Sequence, residues 1–232
     1  MNQFLSPLTN VRRDKWGGTL ENRCRFLKRI LQQSRKLVGL DFPMALKLNS
    51  SDFQRGGFSE EESLGVVKML DGHIDLLEIS GGTYEKMVVF LMNDESSKDN
   101  ARKGEAYFID FAHRVRSISN VPLMVTGGFR SFTFCNQVLE NGELDLLGMA
   151  RPFITNGNDI KGFIAGEVPK LKNLVMRTGI KQFEDAAEGG FYARQLLRLA
   201  KGKELKLNMS PTWSSNFLIL HELKKALAKK LA

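Results

Sequence analysis

Apolar residues recur at helical spacing, then in short unbroken runs, and the two patterns alternate along the chain. Over residues 19–38, Phe26, Leu27, Ile30, Leu31, Leu37 and Val38 make one stripe, which predicts a helix. Thr19 is placed to cap it, with Glu21 and Asn22 in its first turn. Residues 43–48 then predict a short strand. Ser59 stands three residues before Glu62, the capping-box spacing, and Leu64, Val67, Met69 and Leu70 carry that helix onward. A second strand is predicted over 74–79, running into Ser80-Gly81-Gly82. Residues 106–118 follow as a helix with Phe108, Phe111, Ala112 and Val115 on one face. A third strand over 121–126, a helix over 132–140 and a fourth strand over 144–147 complete the alternation. Beyond Asn156 the chain reads as helical, most clearly over 191–199.

Short apolar strands alternating with helices predict an α/β fold, a parallel sheet covered by helices. A closed parallel barrel needs eight strands and typically about 250 residues. This chain has 232 residues and four convincing strands. A four-stranded parallel sheet leaves two edges and one face to be covered. The expected organisation is a barrel-like region over 1–200 and a basic helical extension over 201–232. The polar segment 93–103 has no apolar period; it reads as a connecting loop or as a lid over a site.

Composition narrows the function classes. The net charge of +8 suggests a nucleic-acid binder until it is located. Nine Lys or Arg against two Glu lie from Arg194 onward, so the body is nearly neutral and lacks a basic reading face. That tail is expected to be solvated helical cover, with contact to a membrane surface or a partner as the alternative. No apolar run approaches the roughly 20 residues that span a bilayer, and the first residues lack the pattern of a secretory signal. Two distant cysteines, Cys24 and Cys135, predict buried spectator thiols in a reducing, cytoplasmic setting.

The candidate chemistry sits at two strand ends. Pro122-Leu123-Met124-Val125-Thr126-Gly127-Gly128-Phe129-Arg130 and Asp145-Leu146-Leu147-Gly148-Met149-Ala150-Arg151-Pro152 each run from an apolar strand into glycine and then arginine. Backbone amides freed at a glycine turn, with a cation beside them, suit a phosphate. Two such ends in succession predict neighbouring parallel strands sharing one anion. Taken singly, each feature also fits a plain turn, and Arg151 before Pro152 fits a helix start.

Several motifs in order resemble those of the old yellow enzyme family, FMN-dependent NAD(P)H:flavin oxidoreductases built on a (β/α)8 barrel. They are Gln3-Phe4-Leu5-Ser6-Pro7, then Asn10, Arg12, Asp14, Trp16-Gly17-Gly18, Leu20-Glu21-Asn22-Arg23 and Arg25-Phe26. Lys47-Leu48-Asn49-Ser50-Ser51-Asp52-Phe53, Gly56-Gly57-Phe58, the Gly127-Gly128 stretch and Gly148 to Phe153 follow in the family's order. Trp16 stands where the family usually has tyrosine. The resemblance implies a partial TIM (β/α)8 barrel, the C-terminal half, with FMN as cofactor and NAD(P)H as reductant. It implies that Lys47 faces the flavin N1/O2 edge, where a cation stabilises the reduced ring. Gly127, Gly128 and Arg130 match the first phosphate turn, Gly148 and Arg151 the second, and Phe129 and Met149 positions packed beside the cofactor.

The family's substrate-gripping His/His or His/Asn pair and its tyrosine proton donor have no match in this sequence, so no catalytic residue and no metal ligand is assigned. His73, His113 and His221 are expected in core or surface roles, Arg23 and Glu21 in an ion pair or helix cap, and Tyr84 as a possible pocket wall. The expected activity is hydride transfer from NAD(P)H through flavin to an activated alkene or other acceptor, weak or absent in this chain alone. The alternative is a non-catalytic half-barrel that self-associates or complements a partner chain.

Overall fold

Leu48, Ile79, Val125 and Leu147 lie side by side in four parallel strands, and that row sets the register of the sheet. The computed structural model describes residues 1–81 and 105–231, without the side chains of residues 181, 182, 185, 222 and 224–231. The expected 93–103 loop and Tyr84 fall outside the described residues. By backbone contacts the chain forms two units, Met1–Phe129 with Thr133–Met149, and Arg130–Phe132 with Ala150–Ala232.

The first unit holds β1 (Ala45–Asn49), β2 (Leu76–Ser80), β3 (Leu123–Thr126) and β4 (Leu146–Gly148), ordered β1-β2-β3-β4. Around them run α1 (Asn2–Leu5), α2 (Leu20–Val38), α3 (Glu60–Met69), α4 (Ile109–Arg116) and, after its first residue, α5 (Phe132–Glu140). Leu48, Leu77, Ile79, Leu123 and Val125 are buried on one face, beside Val66, Val67, Ala112, Val115 and Val138 from the helices. The opposite face carries Lys47 and Leu146, both exposed, with Glu78, Met124 and Thr126 partly so. Period-2 alternation therefore survives in a parallel sheet, the described helices of this unit packing on the buried face.

Thr19 caps α2 by accepting from the Asn22 N–H, and Ser59 and Glu62 form the capping box at α3. The helix expected over 106–118 starts later, at Ile109. Ala106 has φ +53°, a left-handed conformation that helical periodicity in a sequence does not reveal. Cys24 and Cys135 are buried free thiols.

One device is used twice at the strand entrances. Asp75, just before β2, accepts from the Met44 N–H at 2.6 Å and pairs with Arg35 of α2. Asp145, just before β4, accepts from the Leu123 N–H at 2.7 Å and pairs with Arg116 of α4. The repeat invisible in residue identities is thus present in hydrogen-bond chemistry. The Met44 N–H and then Arg35 hold the Asp75 carboxyl below its ordinary range. Its stabilisation is full above the unfolded-state pKa of about 4 and is lost as pH falls through the lowered folded-state value. Asp75→Asn should therefore lower Tm at pH 7, with the difference from wild type closing in acid. Thermal melts across pH read this directly; a pH-independent difference would contradict it.

The second unit contains α6 (Arg151–Thr155), α7 (Ile160–Ile164), α8 (Lys181–Leu199) and α9 (Pro211–Leu231). Residues 130–132 are tied to 169–171 by an antiparallel bridge between Ser131 and Lys170, and the Leu171 N–H donates to the Arg130 carbonyl at 2.9 Å. Asn156 clasps Lys172, its side chain accepting from the Lys172 N–H at 2.9 Å and donating to the Lys172 carbonyl at 3.1 Å. Residues 165–180, expected to be helical, contain no regular helix.

Helices α8 and α9 pack along each other around buried Ala187 and Phe191. Fully buried Gln195 accepts from the Lys206 N–H at 2.8 Å and donates to the Lys206 carbonyl at 3.0 Å, fixing the turn between them. This packing runs across residue 200, where the basic helical extension is expected to begin.

Candidate functional site

Strands β3 and β4 end together, with Thr126 paired to Gly148, so the two glycine turns issue from adjacent strand ends. Gly127 and Gly128 have φ of +140° and +88°, conformations that L side chains rarely adopt. A Cβ at Gly128 would lie 2.7 Å from the Ala106 backbone nitrogen, so the turn is also sterically closed to anything larger. Phe129 is fully buried and stacks on Phe134 with centroids 6.1 Å apart. Gly148 abuts Thr126, where a Cβ would meet Oγ1 at 1.8 Å, and Met149 beyond it is half-buried.

Lys47 is the third of five residues in β1, rather than a strand-end residue, and lies on the open face. Its Nζ pairs with Glu78 Oε1, the cross-strand neighbour on β2. Thr126 Oγ1 donates to the same carboxylate oxygen at 2.7 Å. The sequence reading assigned Lys47 alone. Glu78, three places before Gly81, and Thr126, immediately before Gly127, complete a polar row across β1, β2 and β3.

In the second unit, Arg130 is buried and Arg151 opens α6. Arg151 Nη1 lies 3.5 Å from Glu188 Oε2, with both side chains largely withdrawn from solvent. Burial raises the Tyr192 phenol above its ordinary pKa; Arg151 pulls it down, Glu188 pushes it up and Arg130 pulls it down. Both guanidinium groups therefore act on one phenol, which places them in a common electrostatic neighbourhood. Guanidinium groups such as these are the side chains whose forked donors match a phosphate monoester. Glu188 and Tyr192 went unassigned in the sequence. Their i, i+4 spacing on α8 was legible there, but nothing local pointed to Arg151, 37 residues upstream.

The histidines take structural places where their contacts are defined. His113 Nε2 lies 2.7 Å from Glu143, and the His221 ring stacks on Phe217. Arg23 pairs with Glu62, not with Glu21.

Comparison with known proteins places this geometry in context. The chain is 38% identical over 162 residues to the NADH-dependent flavin oxidoreductase iliE of Neonectria sp. (strain DH2), covering 67% of this chain and 21% of that protein. It is 27% identical over 157 residues to the NADPH dehydrogenase of Clostridium acetobutylicum, covering 67% of this chain and 43% of that protein. The chain thus spans well under half the length of these curated relatives. Among solved structures, 2-naphthoyl-CoA reductase in complex with 2-naphthoyl-CoA superposes with a TM-score of 0.63 at 30% identity, over 73% of this chain and 25% of that one. The old yellow enzyme homologue from Zymomonas mobilis superposes with a TM-score of 0.53 at 21% identity, over 75% of this chain and 45% of that one, and bears on the fold alone. The fold is α/β, four parallel strands and their helices matching part of the (β/α)8 barrel of these neighbours. A family model covers residues 1–161, and on that match the chain belongs to the NADH:flavin oxidoreductase / NADH oxidase family.

Proposed function

We propose that this chain carries the phosphate grip and the ring-side cation of an FMN-dependent NAD(P)H oxidoreductase of the old yellow enzyme type. The paired ends of β3 and β4 support this reading most strongly, because they bring two glycine turns side by side, each followed within three residues by an arginine, Arg130 buried and Arg151 partly buried. Bound FMN would supply hydride transfer from NAD(P)H to an activated alkene or another acceptor. The chain's own part is to bind and orient. The Gly127-Gly128 turn presents the backbone amides of Gly128 and Phe129 to the phosphate, and Arg130 and Arg151 neutralise it. Met149 packs beside the cofactor, buried Phe129 backs the first turn from the core side, and Lys47 places positive charge near the ring. Lys47 lies two strand spacings from β3, about 10 Å, a separation that suits an extended ligand better than a lone phosphate. Glu78 and Thr126 hold the Lys47 ammonium in place on the open face.

Nothing among the described residues supplies the family's substrate clamp or proton donor, so turnover by this chain alone is expected to be poor. Titrating the purified chain with FMN, then adding NADPH and cyclohexenone, tests this through flavin absorbance. Measurable but weak FMN binding with negligible turnover is expected; tight stoichiometric binding with rapid turnover would refute the claim of poor activity. The two buried free thiols support a cytoplasmic setting. No helix among the described residues is long and apolar enough to cross a membrane.

The open sheet face favours a second reading, in which the half-barrel assembles with another copy or a complementing chain. Leu146 is exposed there next to Met124, in the same cross-strand row as Lys47 at the far edge, and parallel strands normally have both faces covered. Light scattering discriminates: a monomer at micromolar concentration counts against assembly.

A further inference from the structure

We propose that Glu188 on α8 is a positioning residue for the phosphate site, fixing the Arg151 guanidinium in the orientation from which it donates to a phosphate monoester. The inference rests on the FMN reading above and adds a helix that the strand-end motifs do not contain. Arg151 and Glu188 both belong to the second unit, where α6 packs on α8. Their side chains are 17% and 7% exposed, so water cannot substitute for the carboxylate in orienting the guanidinium. A guanidinium carries five N–H donors, and the contact to Glu188 uses one of them. At 3.5 Å the contact is longer than the 2.7–2.9 Å typical of an optimised charged pair, about 0.6 Å short of full engagement. Glu188 therefore restrains Arg151 without saturating it.

Tyr192 lies one turn further along α8, on the same side as Glu188. Its hydroxyl feels both Arg151 and Arg130, and burial keeps it protonated and able to donate. One turn of α8 thus presents a carboxylate that orients a cation and a neutral phenol beside it. The ligand class that fits is a phosphate monoester, whose dianion Arg151 draws in while Glu188 sets the geometry of its guanidinium.

The test compares FMN with riboflavin, which has the same ring and lacks the phosphate. Dissociation constants are measured by flavin fluorescence on the full chain as wild type, Glu188→Gln and Glu188→Asp, with Arg151→Ala as reference. Glu188→Gln is expected to weaken FMN binding by about tenfold and leave riboflavin within about twofold, with Glu188→Asp recovering part of the loss. A general folding defect would weaken both ligands equally and would overturn the proposal. Tighter FMN binding by Glu188→Gln would also overturn it, because Glu188 would then be a competitor of the phosphate. Failure of the underlying reading appears separately, in the wild type: if FMN binds no better than riboflavin, no phosphate grip exists and the positioning role falls with it.

Discussion

Replacing Arg23 by alanine should unfold or severely destabilise the first unit, by about 3–5 kcal/mol, the cost of breaking a buried ion pair and stranding its partners. Arg23 is 4% exposed and joins three separate segments. It donates to the Leu5 carbonyl at the end of α1, to the Gly18 carbonyl at 3.0 Å just before α2, and to Glu62 in the first turn of α3. Glu62 is already committed, since its other oxygen accepts from the Ser59 N–H in the capping box. Losing Arg23 therefore leaves a carboxylate and two carbonyls without their donor and weakens the start of α3 as well. Arg23→Lys should recover little, because one ammonium cannot span three acceptors that a planar fork reaches. Chemical denaturation followed by circular dichroism measures the loss. A change below about 1 kcal/mol would show that solvent replaces these bonds, as it does for surface pairs.

The same residue illustrates what the sequence could and could not reveal. Its burial within the Leu20-Glu21-Asn22-Arg23 motif was legible as an ion-pair or capping role, but the near neighbour Glu21 was the obvious partner and Glu62 the actual one. Local signals carried well. The Thr19 cap, the Ser59–Glu62 box, the α5 boundaries and the order of four strands all follow from spacing within a few residues. The glycine–arginine endings predicted neighbouring strand ends, and Thr126 does pair with Gly148. Signals set by long-range geometry did not carry. The positive φ of Ala106 shortens α4 from outside the helix, pressed against the Gly128 turn. Residues 165–180 are apolar enough to suggest helix, yet 169–171 pair instead with 130–132. Glu188 meets Arg151 only because α6 packs on α8. In each case the deciding partner lies more than twenty residues away, where periodicity holds no information.

Adjacent glycines in α8 should respond to the same substitution with opposite signs. A Cβ at Gly190 would lie 1.8 Å from the Ser214 carbonyl oxygen and 2.7 Å from its carbon, both backbone atoms of α9. No rotamer change relieves a clash with backbone, so Gly190→Ala must push the two helices apart, at a cost of about 3 kcal/mol. A Cβ at Gly189 would meet only the end of the Leu218 side chain, at 3.4 Å. There the substitution replaces a poor helix former with the best one and should stabilise by up to about 1 kcal/mol. The helix therefore keeps Gly190 for close approach to α9, while Gly189 has no such steric reason in this contact. Separating α8 from α9 would also disturb the Gln195 bonds to Lys206 that set the turn between them. Since Glu188 precedes this pair and Tyr192 follows it, the Gly190 contact fixes the depth at which α8 presents both groups. Gly190→Ala should thus lower Tm and weaken FMN binding together, whereas Gly189→Ala should raise Tm and leave FMN binding unchanged. Equal effects of the two substitutions would mean that α8 and α9 do not depend on this close approach.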